Sequence, residues 1–208
     1  MLVPLAKLVE INGARQYISV NFYTFLLISK LYCMFADPEK NIKQFVVPKG
    51  GHVADFGAGS GAYALAAAKE VGPDGRVYAI DIQQELLSRI KSDAKLRRIS
   101  NIEIIWGNVE EYGGSKLRDS SMDAVIASNI FFQVENKQEL VKEITRVLRS
   151  GGRTLIVDWS DSFGGLGPRP DMIIRADSLK DLCKIKGLEF EKDIDAGTHH
   201  YGLIFKKR

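Results

Sequence analysis

The sequence predicts an α/β fold: a doubly wound, seven-stranded, mostly parallel sheet whose last strand is antiparallel, with a helical lid at the N-terminus. Three observations predict it. From residue 52 onward, short apolar runs alternate with helix-forming stretches, the pattern of strand–helix–strand units. The first run passes through alternating glycines, Gly57-Ala58-Gly59-Ser60-Gly61, into an alanine-rich stretch. Most runs also end on a polar residue: Asp55, Asp81, Asn108, Ser128 and Asp158. In open parallel sheets, ligands bind beyond the carboxyl ends of the strands.

The elements follow in order. Residues 1–16 carry mixed signals and are expected to be partly disordered or a loose helix. Residues 18–35 read as a helix, apolar most of the way round, interrupted by Asn21 and Lys30. That run is too polar for a convincing membrane span, so it is expected to act as a lid or core helix. Asp37-Pro38 restarts a helix, with Asp as N-cap and Pro at the first helical position, running to about Val46. The turn Pro48-Lys49-Gly50-Gly51 then divides an N-terminal extension, residues 1–47, from the main domain, residues 48–208.

Strands are expected at 52–56, 76–80, 102–106, 123–127 and 154–157. The helices between them are expected at 62–71, 84–99, a short one around 110–117, and 137–148. Residues 160–170, rich in Gly and Pro, form a loop. A helix at 179–186 stops at Gly187. Two closing strands, 188–194 and 200–206, are joined by so short a link that they pair antiparallel.

Composition bounds the function. The chain has 208 residues, 45% of them hydrophobic and 26% charged, with a net charge of +3. That charge is too small and scattered to argue for nucleic acid, and a cytoplasmic location is expected. A membrane-surface role is disfavoured, and the oligomeric state is left open. The two cysteines, Cys33 and Cys183, lie far apart without metal-ligand spacing, so no metal is expected. Both sit in apolar helical contexts, as buried reduced thiols do.

The glycine turn lets the backbone pass close to a ligand, because no Cβ intervenes. The helix behind it presents free N–H groups and a positive dipole end. A dinucleotide is one candidate: Gly57, Gly59 and Ala62 fit that fingerprint, with Asp81 as the ribose acid. Against it stands Asp55, whose carboxylate repels a pyrophosphate but accepts from an ammonium. The tighter spacing through Gly61 and the lack of room for a substrate domain point the same way. A phosphate loop of the Gly-Lys-Ser/Thr kind is absent.

The residues resemble the class I S-adenosylmethionine-dependent methyltransferases, a Rossmann-like family, over roughly residues 37–205. Four signatures agree in order and spacing: the turn at Asp55–Gly61, the acid Asp81, the segment Gly107-Asn108-Val109-Glu110, and the turn Leu148-Arg149-Ser150-Gly151-Gly152-Arg153. The branch that methylates small molecules, including quinone rings, looks most similar.

The resemblance implies S-adenosyl-L-methionine as cofactor and a set of contacts. Asp55 would hold the ammonium, and the backbone of Gly57, Ala58, Gly59 and Gly61 would admit the methionyl part. Asp81 would accept the ribose hydroxyls, with a helix N-cap as its alternative role. Asn108, where the family more often has Asp, would accept from the adenine amino group or simply shape a turn. Ile82, Val109 and Trp106 would flank the adenine or fill core. Ser128 and Asn129 would contact cofactor or substrate, or cap the strand. No proline follows Asn129, which argues against the amino-group methyltransferase pattern.

Positioning alone accounts for much of methyl transfer, so no catalytic residue is assigned. Phe131, Phe132, Trp159, Phe163, Phe22, Tyr23 and Phe25 are candidates for an apolar acceptor pocket. Asp158 can orient an acceptor or cap its strand. His199-His200-Tyr201 is expected as a surface pair at a strand edge, with a general base as its alternative. Arsenite is disfavoured as acceptor, since that chemistry calls for more thiols. The alternative functions are an RNA or protein methyltransferase, with a basic apron from Arg149, Arg153, Arg169 and Arg175, and a non-catalytic cofactor-binding protein.

Overall fold

The computed structural model describes residues 6–11, 14–19, 36–163 and 167–208. The first two segments are short strands, β1 (Ala6–Ile11) and β2 (Ala14–Ser19), paired antiparallel from Ala6↔Ser19 to Ile11↔Ala14. Over the described residues 6–11 and 14–16, the expected disorder or loose helix is therefore replaced by a strand pair. Its branched Val9, Ile11 and Ile18 suit strands better than helices. Ile18 and Ser19 fall in β2 as well, and the rest of the expected lid helix, with Phe22, Tyr23, Phe25 and Cys33, lies outside the described residues.

Helix α1 (Pro38–Phe45) starts as expected: the Asp37 carboxylate accepts from the N–H groups of Glu39 (3.0 Å) and Lys40 (3.2 Å). The main sheet holds seven strands in the order β5-β4-β3-β6-β7-β9-β8. They are β3 (His52–Phe56), β4 (Arg76–Asp81), β5 (Ile102–Trp106), β6 (Met122–Ser128), β7 (Leu148–Trp159), β8 (Leu188–Ile194) and β9 (His200–Lys207). Only β9 runs against the rest, pairing antiparallel with β7 and β8. Helices α2 (Ala62–Val71), α3 (Gln84–Leu96), α4 (Lys137–Val147) and α5 (Ala176–Ile185) cover the faces.

Two apolar layers hold this together. One face packs Val53, Ile126, Leu155, Val157 and Ile204 beneath α1 and α2, which contribute Ile42, Phe45, Ala64 and Ala67. The other packs Ala54, Phe56, Val125, Ile156 and Phe205 beneath α4 and α5, with Leu140, Ile144, Leu179 and Cys183. The alternation in the strands assigns neighbours to opposite faces. The edge strand β8 stays soluble through Glu189, Glu191, Lys192 and Asp193, all exposed.

Two local expectations are corrected. Residues 110–117 make turns, not a short helix. Instead of helical bonds, their backbone uses a side chain from α4: the fully buried Glu143 carboxylate accepts from Gly113 N–H (2.8 Å), Ser115 N–H (3.1 Å) and Ser115 Oγ (2.5 Å). And β7 begins at Leu148, taking the Gly151-Gly152 turn into the strand as an irregularity opposite Met122–Ala124, with Gly151 at φ +75°.

The strand order reverses between β3 and β6: β4 and β5 lie to one side of β3, β6 and β7 to the other. Diverging connections leave a crevice at that point, above the carboxyl ends. The glycine turn sits there.

Candidate cofactor site

The turn after β3 is shaped by positive φ at all three glycines, +68° at Gly57, +52° at Gly59 and +79° at Gly61. Two of them are also packed. A Cβ on Gly57 would lie 2.5 Å from Ile130 Cδ1, and one on Gly61 2.6 Å from Ile90 Cγ1. Gly61 caps α2 with no side-chain bond, and no acidic residue occupies the helix's first turn. The positive end of α2 faces the Asp55 carboxylate, on which the Ala64 N–H acts.

Asp81, at the end of β4, is buried and tied to this turn. Its Oδ2 accepts from Gly59 N–H (2.9 Å) and its Oδ1 from Gln83 N–H (2.9 Å) at the start of α3. Ribose acid and helix-start residue are therefore compatible roles. A carboxylate has about four acceptor sites, and two are used.

Asp55 is treated oppositely. It is 1% exposed; neither carboxylate oxygen has a hydrogen bond of good geometry, and the Ala64 N–H at the start of α2 is the backbone donor that acts on it. Burial pushes its carboxyl up to about 7; the Ala64 N–H offsets part of this, and the charge of Asp81 adds to it. An orphaned carboxylate behind a glycine turn is costly, and a cation removes that cost.

Gly57, Asp81, Ile82, Gln83, Gly107, Asn108, Val109, Glu110, Ile130, Gln133 and Val134 enclose a cleft of about 140 Å³ at the strand-order reversal. It brings together five of the expected residues: Gly57, Asp81, Ile82, Asn108 and Val109. Gly59 joins through its bond to Asp81, whereas Asp55, Ala58, Gly61 and Ser128 do not line it. The Ala58 N–H is committed to Ile80 O (2.9 Å). Ile82 is 61% exposed, high for an isoleucine, and Val109 is buried. Trp106 stays outside the cleft, its indole N–H donating to Ile82 O (3.0 Å).

Asn108 does shape a turn: its Oδ1 accepts from Glu110 N–H (3.1 Å) and its Nδ2 donates to Glu111 Oε1 (2.9 Å). Ile130, Gln133 and Val134 escaped the sequence reading, because only the fold carries the loop after β6 across the cleft. Asp158 explains how that loop is held. Its Oδ2 accepts from Phe131 N–H (2.8 Å) and its Oδ1 from Trp159 N–H (2.8 Å). Burial pushes its carboxyl up to about 6 against these backbone donors. Asp158 is a strand-end clamp for residues 130–132.

A larger groove of about 550 Å³ lies between α3 and β5, lined by Lys91, Lys95, Arg98, Ile102 and Ile104 among others. It touches none of the strand-end residues, so the chemistry is not sought there.

Residues 48–196 match the family described as a methyltransferase domain. The chain belongs to the class I S-adenosylmethionine-dependent methyltransferases. It is 34% identical over 119 residues to an arsenite methyltransferase of Halobacterium salinarum, covering 57% of this chain and 30% of that protein. It is 30% identical over 122 residues to a demethylmenaquinone methyltransferase of Geobacillus kaustophilus, covering 59% and 51%. The chain thus spans about half or less of the length of these relatives. A SAM-dependent methyltransferase structure from Aquifex aeolicus superposes with a TM-score of 0.76 at 24% identity, over 86% of this chain and 93% of that one. The cofactor of the family is S-adenosylmethionine, and this site's residues suit it: a buried acid for an ammonium, a strand-end acid for a diol, and a cleft walled by Ile82 and Val109.

Proposed function

We propose that this chain moves the methyl group of S-adenosylmethionine to a small, partly apolar acceptor. The observation that carries the proposal is Asp55, whose two buried oxygens lack a partner directly behind the glycine turn. Asp55 receives the cofactor's ammonium, directly or through water. The backbone of Gly57, Ala58, Gly59 and Gly61 lets the methionyl part approach. Asp81 accepts the ribose hydroxyls on its remaining lone pairs. Ile82 and Val109 flank the adenine, and Asn108 Oδ1, with a lone pair left, faces its amino group. Ser128, the last residue of β6, would contact cofactor or substrate.

The bound sulfonium supplies a methyl group already activated toward a nucleophile. The protein therefore has to align the acceptor and keep water out, and alignment is worth roughly 7–11 kcal/mol in favourable cases.

The relatives' names mention arsenite and demethylmenaquinone. For this chain a thiol-borne arsenite is disfavoured because the sequence has two cysteines, of which Cys183 is fully buried with its thiol pushed up to about 12 by desolvation. An organic acceptor fits the aromatic residues Trp159 and Phe163 at the end of β7. Three of the four arginines expected to form a basic apron for an RNA or protein acceptor are ion-paired. Arg149 pairs with Asp123 (2.7 Å), Arg153 with Glu191 (2.9 Å) and Arg169 with Asp171 (3.3 Å). Arg149 and Arg153 also stand at the beginning of β7, the end of the sheet opposite the cleft.

The test is methyl transfer from labelled S-adenosylmethionine to pools of phenols and hydroquinones, total RNA, and protein. Label in the small-molecule pool is expected. Label confined to RNA or protein overturns the acceptor class, and tight donor binding with no transfer to any pool supports the non-catalytic alternative.

A further inference from the structure

The histidines expected on the surface are buried: His199 is 8% exposed and His200 7%. Neither ring nitrogen of His200 has a hydrogen-bond partner. An imidazole in that state is costly, because its buried nitrogens have given up water without gaining a partner. Its surroundings disfavour the charged form, so it is a neutral ring with one donor and one acceptor nitrogen.

Register places His200 relative to the cofactor site. Asp55 pairs with Ile126, Ile126 with Leu155, and Leu155 with Ile204. Trp159 and His200, themselves a cross-strand pair, lie four residues from Leu155 and Ile204. Side chains alternate along strands, so Asp55, Trp159 and His200 share one sheet face. Ser128, the last residue of β6, pairs with Val157. Trp159 and His200 stand two positions further out, over the carboxyl edge.

This face concentrates the fold's unmet polar demand. Among the described residues, eight buried side-chain atoms lack a partner, and five belong to Asn41, Asp55 and His200. Asn41 reaches the same face from α1, donating to Tyr63 Oη (2.8 Å).

Aromatic rings flank the His199-His200 pair. The Trp159 and His200 rings are 4.3 Å apart, and Phe163 stacks on His199 at 4.6 Å. Asp161 Oδ1 holds His199 Nδ1 at 2.6 Å, so His199 already has its partner and His200 does not. The backbone of Gly167 presses on the outer side of Trp159, where a Cβ would come within 2.9 Å of the ring. Phe163 remains 45% exposed.

We propose that Trp159, Phe163 and His200 form the acceptor-binding wall, and that the acceptor is an aromatic ring carrying a hydroxyl that hydrogen-bonds to the His200 imidazole. This rests on the methyl-transfer reading above and names its substrate class. A hydroxyl suits His200 because it donates and accepts at once. The aromatic ring suits Trp159 and Phe163, whose faces pair with offset or edge-on rings.

The experiment uses the full chain saturated with S-adenosylhomocysteine, with binding established first by calorimetry. The probes are 1-naphthol and 1-methoxynaphthalene, which differ in the hydroxyl. Long-range proton–nitrogen NMR reads the imidazole nitrogens, with His200 assigned from His200→Gln. Addition of 1-naphthol is expected to shift the His200 nitrogen signals, and 1-methoxynaphthalene to leave them in place while perturbing the Trp159 indole. His200→Phe is expected to weaken 1-naphthol about tenfold, the scale of one hydrogen bond, and to leave 1-methoxynaphthalene and S-adenosylhomocysteine unchanged. His200→Gln is expected to restore part of the loss.

The proposal is overturned if 1-naphthol fails to bind, if it binds without moving the His200 nitrogens, or if His200→Phe weakens both probes alike. Failure of S-adenosylhomocysteine itself to bind overturns the methyl-transfer reading instead.

Discussion

Asp55 and Asp81 sit within one turn of each other's chemistry, yet the fold partners only one of them. Asp81 already holds Gly59 and Gln83 through its carboxylate. Replacing it with Ala removes a support of the glycine turn and, on the proposed reading, the ribose acceptor. Asp81→Ala is expected to abolish cofactor binding in calorimetry, and unchanged affinity would remove the ribose assignment. Asp55 gives a pH prediction with a definite sign. Its folded value is raised from 3.8 to about 7. Between those values the unfolded chain releases a proton that the folded chain keeps. Without cofactor, stability therefore falls as pH rises through that window and stays lowered above it. Asp55→Asn is expected to match the parent near pH 3.5, to exceed it at pH 8 by up to ~4 kcal/mol, and to bind the cofactor more weakly. Urea melts at the two pH values check this; a variant less stable than the parent at pH 8 would contradict it.

At the scale of elements, the cleft depends on a loop that another strand holds. Residues 130–134 form one wall, and Asp158, from β7, fixes their backbone through Phe131 N–H. Asp158→Ala frees that N–H and leaves it buried, at a cost of roughly 1–3 kcal/mol. It is expected to lower stability by that amount and to weaken S-adenosylhomocysteine about tenfold. Titration calorimetry on the folded variant separates the two effects, since unchanged affinity would detach the loop from the site. Most elements were legible in the chain: Asp37-Pro38 announced α1, and Gly187, at φ +86°, ended the α5 segment as anticipated. Two of the misread ones share a cause. Residues 110–117 satisfy their backbone with Glu143 from α4, and the Gly151-Gly152 turn joins β7 because β6 lies beside it. Neither partner is a neighbour in sequence.

For the whole molecule, the sheet places its binding groups at one edge and its ion-paired arginines 149 and 153 at the other. A ligand at the carboxyl edge bridges β3, β4 and the loop after β6, so its binding is linked to global stability. S-adenosylhomocysteine at a hundred times its dissociation constant is expected to add ~2.7 kcal/mol. For a chain of 208 residues this is a rise of roughly 5–10 °C in Tm. A calorimetric scan with and without ligand measures it, and an unmoved Tm would mean that the cleft does not take the nucleoside. The glycine turn, the strand-end acids and the succession of strands and helices along the chain could be read from the sequence alone, because each follows from local periodicity, backbone freedom at glycine, or the polarity of a strand's last residue. The tertiary structure alone decided that Asp55 is orphaned while Asp81 is partnered, that Asp158 serves the loop, and that His199 and His200 are inside. Burial and hydrogen-bond satisfaction are set by groups far apart in sequence, and only the packed sheet brings them together.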